Sequence, residues 1–144
     1  MNERPAIAML KKAGWFPGRR VSAERDISVL QSEGYSLFPK AEEFLAEFTG
    51  LRLEIENESQ DEIFFSAAYV CESMFFFEWS VEYSQRAGVR MIPAGVAEEY
   101  LTLLVGEDGR WFGGFDGEFG LLGDDIFEAI DSFVTNPSDF KQRL

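Results

Sequence analysis

The length, composition and charge of the chain limit what it can be. Its 144 residues, 46% hydrophobic and 15% aromatic, suit one domain whose core needs neither disulfides nor metal. Twenty-six acidic residues against 13 basic ones give a net charge of −13. This charge disfavours direct nucleic-acid binding, because phosphate recognition needs a basic patch. We therefore predict a single acidic domain over residues 1–144.

The sequence gives no indication of export or of membrane insertion. The apolar run Ala6–Leu10 is too short for the core of a signal peptide, and no stretch approaches the length of a membrane span. The single cysteine, Cys71, excludes an intrachain disulfide and is expected to be a small buried hydrophobe. We expect a cytoplasmic protein with no membrane partner.

Three helices are predicted in the first third of the chain. Each ends at a glycine, namely Gly14, Gly34 or Gly50, and Ser22 is the expected N-cap of the second helix. The third is the clearest, because its apolar residues follow the i, i+3, i+4, i+7 pattern of an amphipathic helix: Ala41, Phe44, Leu45 and Phe48.

Strands are predicted in the middle of the chain. Apolar and polar residues alternate over 51–55, a polar turn follows over 57–62, and further strands are expected at 63–65, 89–96 and 101–105. Pro93 is expected at an edge or bend. Asp108-Gly109 predicts a hairpin turn into Arg110-Trp111-Phe112. Residues 67–77 fit a buried strand or a buried helix equally well, and a helix ending at Gly88 should follow them.

A final helix is predicted after Leu122-Gly123. Asp125 and Glu128 resemble a capping box, Asn136-Pro137 should end the helix, and the remaining residues are expected to fray. Helices, then strands, then one helix is the order of an α+β fold. We therefore predict an α+β fold.

The residues needed for most enzymatic chemistry are missing. The chain has no histidine, which removes Ser-His-Asp and Cys-His sites and most catalytic zinc sites. The acidic, glycine-rich stretch 107–118 has Arg110 and Trp111 where calcium ligands would be required. The carboxylate pairs Glu98-Glu99 and Asp124-Asp125 are expected from the number of acids. We predict no catalytic residue, metal or cofactor.

Five short motifs follow one another over roughly residues 10–130, leaving a C-terminal tail at 135–144. The motifs are Leu10-Lys11-Lys12-Ala13-Gly14-Trp15-Phe16-Pro17-Gly18-Arg19, Ala41-Glu42-Glu43-Phe44-Leu45 with Phe48-Thr49-Gly50-Leu51, Met91-Ile92-Pro93-Ala94-Gly95, Gly109-Arg110-Trp111-Phe112, and Leu122-Gly123 before Glu128-Ala129-Ile130. In content and order they resemble the third family of SUKH immunity proteins. The resemblance implies a central, mostly antiparallel sheet flanked by the N-terminal helices and one C-terminal helix.

The resemblance implies an antidote in a bacterial polymorphic-toxin system. Such proteins bind the toxin domain encoded beside them, often a nuclease, and block it stoichiometrically without being enzymes. The same superfamily includes regulators, so an adaptor that binds a non-toxin protein is the alternative, and a small carboxylate-based hydrolase is a third. This chain departs from the family after the Pro-x-Gly turn at Pro93-Ala94-Gly95. The family often has an acidic or polar residue there, whereas this chain has Val96, with Glu98-Glu99 slightly later.

Most of the motif residues are given structural roles. Gly14 and Gly50 should cap helices, Phe44, Leu45 and Leu51 should be core, and Trp15 should pack the first helix onto the body. Arg19 is expected to pair with a carboxylate or to face a partner. The other motif residues that we single out are Pro93, Gly95, Gly109 and Gly123.

A basic toxin domain is the expected partner. Acids near the predicted turns would steer it, and aromatic residues in the same region would anchor it. The aromatic group at 75–79 is expected to be mostly core. The predicted partner-binding residues are Glu98, Glu99, Glu107, Asp108, Trp111, Phe115, Asp116 and Glu118.

Overall fold

The computed structural model describes residues 4–55, 61–135 and 140–144. In this part of the chain the helices are α1 (Pro5–Lys12), α2 (Glu24–Glu33), α3 (Pro39–Phe48), α4 (Ala67–Ser73), α5 (Phe77–Ala87) and α6 (Ile126–Thr135). The strands are β1 (Arg52–Glu54), β2 (Glu62–Phe64), β3 (Met91–Ala97), β4 (Leu101–Gly106), β5 (Trp111–Phe115), β6 (Glu118–Gly123) and β7 (Gln142–Arg143). Most of the polar turn expected over 57–62, and the helix end expected at Asn136-Pro137, lie outside the described residues.

The strands form one antiparallel sheet in which each strand pairs with its neighbours in the sequence. The strand order is β1-β2-β3-β4-β5-β6-β7. The predicted α+β class and the antiparallel sheet are thereby confirmed. Pro93 pairs with Leu104 of β4, whereas β2 pairs only with Val96 and Ala97, so the proline lies where no β2 amide or carbonyl faces it. A register shift between Pro93 and Gly95 bends the strand there.

Helices cover both faces of the sheet and create two hydrophobic clusters. Along β4, Leu103 and Val105 belong to one cluster and Leu104 to the other, because successive side chains of a strand point to opposite faces. The first cluster includes apolar residues of α1, α3 and α6. The second includes Val70 of α4 and Tyr83 of α5. All residues of β3 and β4 are therefore buried.

The amphipathic pattern of α3 is confirmed, since its four periodic apolar residues are all buried. Gly34 and Gly88 end α2 and α5 in left-handed conformations, as their positions in the sequence predict. The N-cap prediction for α2 is one residue off. Ala23 occupies the cap position, and the Ser22 hydroxyl is 3.5 Å from the Glu24 amide.

The segment that fits either a strand or a helix contains helix α4, which the Ser66 side chain caps by accepting a hydrogen bond from the Tyr69 amide at 3.1 Å. The prediction of a frayed C-terminal tail is wrong, because residues 142–143 form strand β7 on β6. Phe140 lies where a side chain at Gly120 would be, so the missing Cβ lets the returning chain approach β6.

Of the two roles predicted for Arg19, pairing with a carboxylate is not found among the described residues. Its guanidinium donates hydrogen bonds to the carbonyl oxygens of Glu47 (2.5 Å) and Thr49 (3.2 Å) at the end of α3. These carbonyls have no partner within the helix, so a cation there satisfies them and complements the helix dipole. Trp15 packs as predicted: its ring stacks on Phe48, and its indole N–H donates to the Glu47 carboxylate at 2.8 Å.

Candidate partner-binding surface

The eight residues predicted to bind a partner do not form one surface. The sheet is a meander, so its turns alternate between two ends. Glu98 and Glu99 lie between β3 and β4, and Asp116 lies between β5 and β6, which places these three acids at the same end. Glu107 and Asp108 lie in the β4–β5 turn at the opposite end. We call the first of these the acidic end of the sheet.

Trp111 contributes to neither end. Its side chain is 3% exposed and packs edge-on against Phe44 of α3, with ring centroids 4.7 Å apart. Trp111 belongs to the first hydrophobic cluster and the next residue, Phe112, to the second, because successive side chains of a strand point to opposite faces. Trp111 is therefore a core residue and offers no surface to a partner in this conformation.

The turn that carries Glu98 and Glu99 has an unusual backbone for these residues. Their φ angles are +56° and +66°, and the Tyr100 amide donates to the Ala97 carbonyl at 3.3 Å. Two successive positive φ angles define a type I′ turn, which favours Asn-Gly. Non-glycine residues in such conformations cost on the order of 1–3 kcal/mol each. The sequence thus keeps two carboxylates at the tip of this hairpin at the expense of stability.

The acids differ in whether an ion pair already holds them. Asp108 pairs with Arg110 at 2.5 Å, Glu107 pairs with Arg90 at 2.6 Å, and Glu118 pairs with Arg143. Among the described residues, no ion pair includes Glu98, Glu99 or Asp116. Of the six acids predicted to bind a partner, those that no described ion pair holds therefore lie in the two turns at the acidic end.

Glu98 is electrostatically perturbed in this turn. Burial raises the pKa of its carboxyl, the neighbouring Tyr100 hydroxyl lowers it, and the Asp61 carboxylate raises it again, for a net increase. Burial and the nearby Glu98 also raise the pKa of Tyr100. A positive charge placed here would relieve the repulsion between Glu98 and Asp61.

Beside the acidic end lies a cavity of about 290 Å³, which we call the aromatic groove. Its walls are rings from α5 and the preceding loop on one side and from the two turns on the other. The Tyr100 and Phe115 rings meet edge to face at 5.0 Å, and those of Trp79 and Tyr83 are 5.8 Å apart. Asp116 also lines the groove. Of the predicted site residues, the structure therefore brings Phe115 and Asp116 into one cavity and sets Glu98 and Glu99 in the adjacent hairpin turn.

The floor of the groove is made by small residues of β4 and β5. Thr102 and Gly114 are register partners there. A Cβ on Gly114 would lie 2.5 Å from the Tyr83 ring, so the glycine lets that ring lie flat against the strand. Thr102 is 2% exposed, and within the described part of the chain no hydrogen bond to its hydroxyl is found. The floor thus carries one buried polar group among aromatic rings.

The sequence analysis did not identify several residues of this groove. Phe76, expected to be core with its neighbours, is 69% exposed, and Tyr100 is 46% exposed. A signal for Phe76 was present in the sequence. Three consecutive phenylalanines, residues 75–77, cannot all point to the same side of the chain, so all three can be core only where both sides are covered. Thr102 gave no signal, because its role depends on the strand register.

A larger cavity of about 650 Å³ lies between α2, α5 and the start of β3. The charged side chains that line it are Arg90 and Glu107, which already pair with each other. None of the predicted partner-binding residues except Glu107 lines it. The aromatic groove, with its unpaired acid, is the stronger candidate for recognition of a charged group.

The described residues give no sign of a metal centre. No group of three or more His, Cys, Asp or Glu side chains in these parts of the chain is arranged to hold a metal ion. None of the helices in the same ranges combines the length and hydrophobicity that a membrane crossing requires.

The fold and this surface define an α+β domain that presents an acidic, aromatic-lined sheet end. Compared with protein families, the sequence matches the family described as SUKH-3 immunity protein over residues 3–136. The chain therefore belongs to the SUKH-3 immunity protein family. The match extends further than the motifs in the sequence suggest, and strand β7 lies beyond it. Comparisons with curated proteins and with solved structures gave no significant match.

Proposed function

We propose that this chain is the antidote of a toxin–immunity pair and inhibits one toxin domain by binding it in a one-to-one complex. Membership of an immunity protein family over residues 3–136 carries the proposal. Proteins of this family are generally not enzymes, in keeping with a sequence that has no histidine. Inhibition would then come from occlusion of the toxin and not from chemistry on it.

The expected toxin domain is basic. A net charge of −13 would accelerate encounter with a positively charged protein, and unpaired acids at the contact would add specificity. A nuclease domain has such a charge, because it must bind phosphates. Of the acids predicted to bind the partner, Glu98, Glu99 and Asp116 are the three that no described ion pair holds.

The first experiment is calorimetric titration of the protein with the toxin domain encoded beside its gene, together with growth rescue on co-expression. We expect a stoichiometry of one, rescue of growth, and a Kd that rises with ionic strength because salt screens the attraction between opposite charges. Absence of both binding and rescue would reject the antidote role and favour an adaptor that binds a different protein.

A matched pair of variants tests whether the acidic end makes the contact. The double variant Glu98→Gln/Glu99→Gln removes two adjacent charges from the hairpin tip. Glu42→Gln/Glu43→Gln removes two adjacent charges from the exposed face of α3. The first pair is expected to slow toxin association at low salt by about tenfold, and the second by less than about twofold. Equal effects would mean that only net charge matters.

A further inference from the structure

The aromatic groove has the size and lining of a site for one side chain. Its volume of about 290 Å³ is at the lower limit of the range for drug-sized ligands, about 300–1,000 Å³. Phe76, at its edge, exposes 69% of its surface, although most large apolar side chains of the chain are buried. An exposed ring beside a preformed cavity is the usual arrangement of an anchor pocket at a protein interface.

The polar groups of the groove favour a cation over an apolar side chain. Asp116 lines the groove and belongs to no ion pair among the described residues. An apolar side chain in the groove would remove water from that carboxylate without replacing its interactions, which is unfavourable. An arginine or lysine would supply an opposite charge, and its aliphatic stem would pack on the rings.

The aromatic rings and the floor are also suited to a cation. A guanidinium or ammonium group is attracted to the faces of tryptophan and tyrosine rings, and Trp79 and Tyr100, neither of which is fully buried, line the groove. The Thr102 hydroxyl on the floor can accept a hydrogen bond. Glu98 and Glu99 in the adjacent turn add negative potential to the entrance.

We propose that the aromatic groove receives one arginine or lysine side chain of the partner, stacked on its rings and paired with Asp116. This inference rests on the proposed function, because it names the feature of the toxin domain that the acidic end recognises. It predicts that the partner is a protein with a protruding basic residue, and that tight binding requires the positive charge of that residue.

Two variants of the whole protein test the groove with the toxin domain encoded beside the gene as the probe. Asp116→Asn removes the charge and keeps a residue that tolerates the positive φ of +50°. Phe76→Ala removes the exposed ring. Each is expected to raise the Kd for the toxin domain by about tenfold or more, with the melting temperature unchanged. The controls are Phe16→Ala, which removes a ring that is 57% exposed elsewhere, and Glu43→Gln; both should change Kd by less than about twofold.

A double-mutant cycle identifies the inserted residue. Each surface arginine or lysine of the toxin domain is changed to alanine and measured against wild type and Asp116→Asn. One of them should lose most of its effect when Asp116 is already asparagine. If wild type binds tightly and both groove variants bind equally well, the groove inference is overturned while the antidote role stands. If the wild-type protein does not bind the toxin domain, the groove inference and the antidote role are both rejected.

Discussion

The carboxylate of Asp26 accepts a hydrogen bond from the backbone amide of Ala68 at 2.9 Å, and its second oxygen accepts one from the Thr49 hydroxyl. Asp26 is on α2, Thr49 follows α3, and Ala68 is in the first turn of α4. The aspartate is 5% exposed. One buried side chain thus joins three helices that are far apart in the sequence.

Replacing this aspartate should destabilise the fold. In Asp26→Ala the Ala68 amide and the Thr49 hydroxyl would be left without their acceptor, so we expect the free energy of unfolding to fall by about 2–4 kcal/mol. Urea denaturation measures the change. Glu33→Ala, an exposed acid at the end of the same helix, should change it by less than about 0.5 kcal/mol. Similar losses in the two variants would show that Asp26 does not join the helices as described.

The acidic end should make stability depend on pH. Because folding raises the pKa of Glu98, its protonated form favours the folded state below the ordinary value of 4.5, and this advantage is lost as pH rises through the folded-state pKa. The stability of Glu98→Gln relative to wild type should therefore increase as pH rises from about 4 to 7. Chemical denaturation across this range, with Glu43→Gln as the control, measures the difference. A constant difference would mean that Glu98 is not perturbed in the fold.

The thiol of Cys71 should be unreactive while the protein is folded. Burial and the nearby Glu33 raise the pKa of Cys71 to about 12. At pH 8 the thiolate, which is the reactive form, should be about a thousandfold rarer than for an ordinary thiol. Labelling with a maleimide should be slow in buffer and fast in denaturant. Cys71 is half-buried, so fast labelling of the native protein would show that its thiol is accessible and that its pKa is not raised.

The close contact between Gly114 and Tyr83 predicts that any side chain at position 114 destabilises the fold. An alanine Cβ at Gly114 would lie 2.5 Å from the Tyr83 ring, which itself stacks on Phe119 at 4.3 Å and has no room to retreat. We expect Gly114→Ala to reduce the free energy of unfolding by about 1–3 kcal/mol. Gly117→Ala, in the same hairpin, meets no atom within 4 Å and should change it by less than about 0.5 kcal/mol. Thermal unfolding of the two variants measures this difference in stability.

The sequence predicted those helices and turns that depend on residues close together in the chain. Helix α3 follows from its apolar spacing, the hairpin at Asp108-Gly109 from its turn residues, and the ends of α2 and α5 from Gly34 and Gly88. The α+β order follows from the same patterns. Strand β7 could not be predicted in this way, because it depends on the approach of Phe140 to Gly120, and neither residue forms a pattern with its neighbours.

The candidate surface was predictable only in part. The position of acids near predicted turns suggested partner-binding residues, but strand order was needed to place Glu98 and Asp116 at one end and Glu107 at the other. Trp111 was predicted to be a partner anchor because its aromatic group alternates with glycines and acids near predicted turns. Its burial depends on packing against Phe44 of α3, a contact that the sequence pattern does not reveal.

The order of the strands also bears on how the chain reaches this state. Since each strand bonds to strands adjacent in the sequence, the sheet can grow by adding one hairpin after another, and no finished pair has to open to admit a later strand. Such local assembly closes short loops first and so lowers the entropic barrier to folding. The longest closure joins β2 to β3 across α4 and α5, the segment that carries Phe76 and Trp79, so one wall of the aromatic groove is assembled by that step.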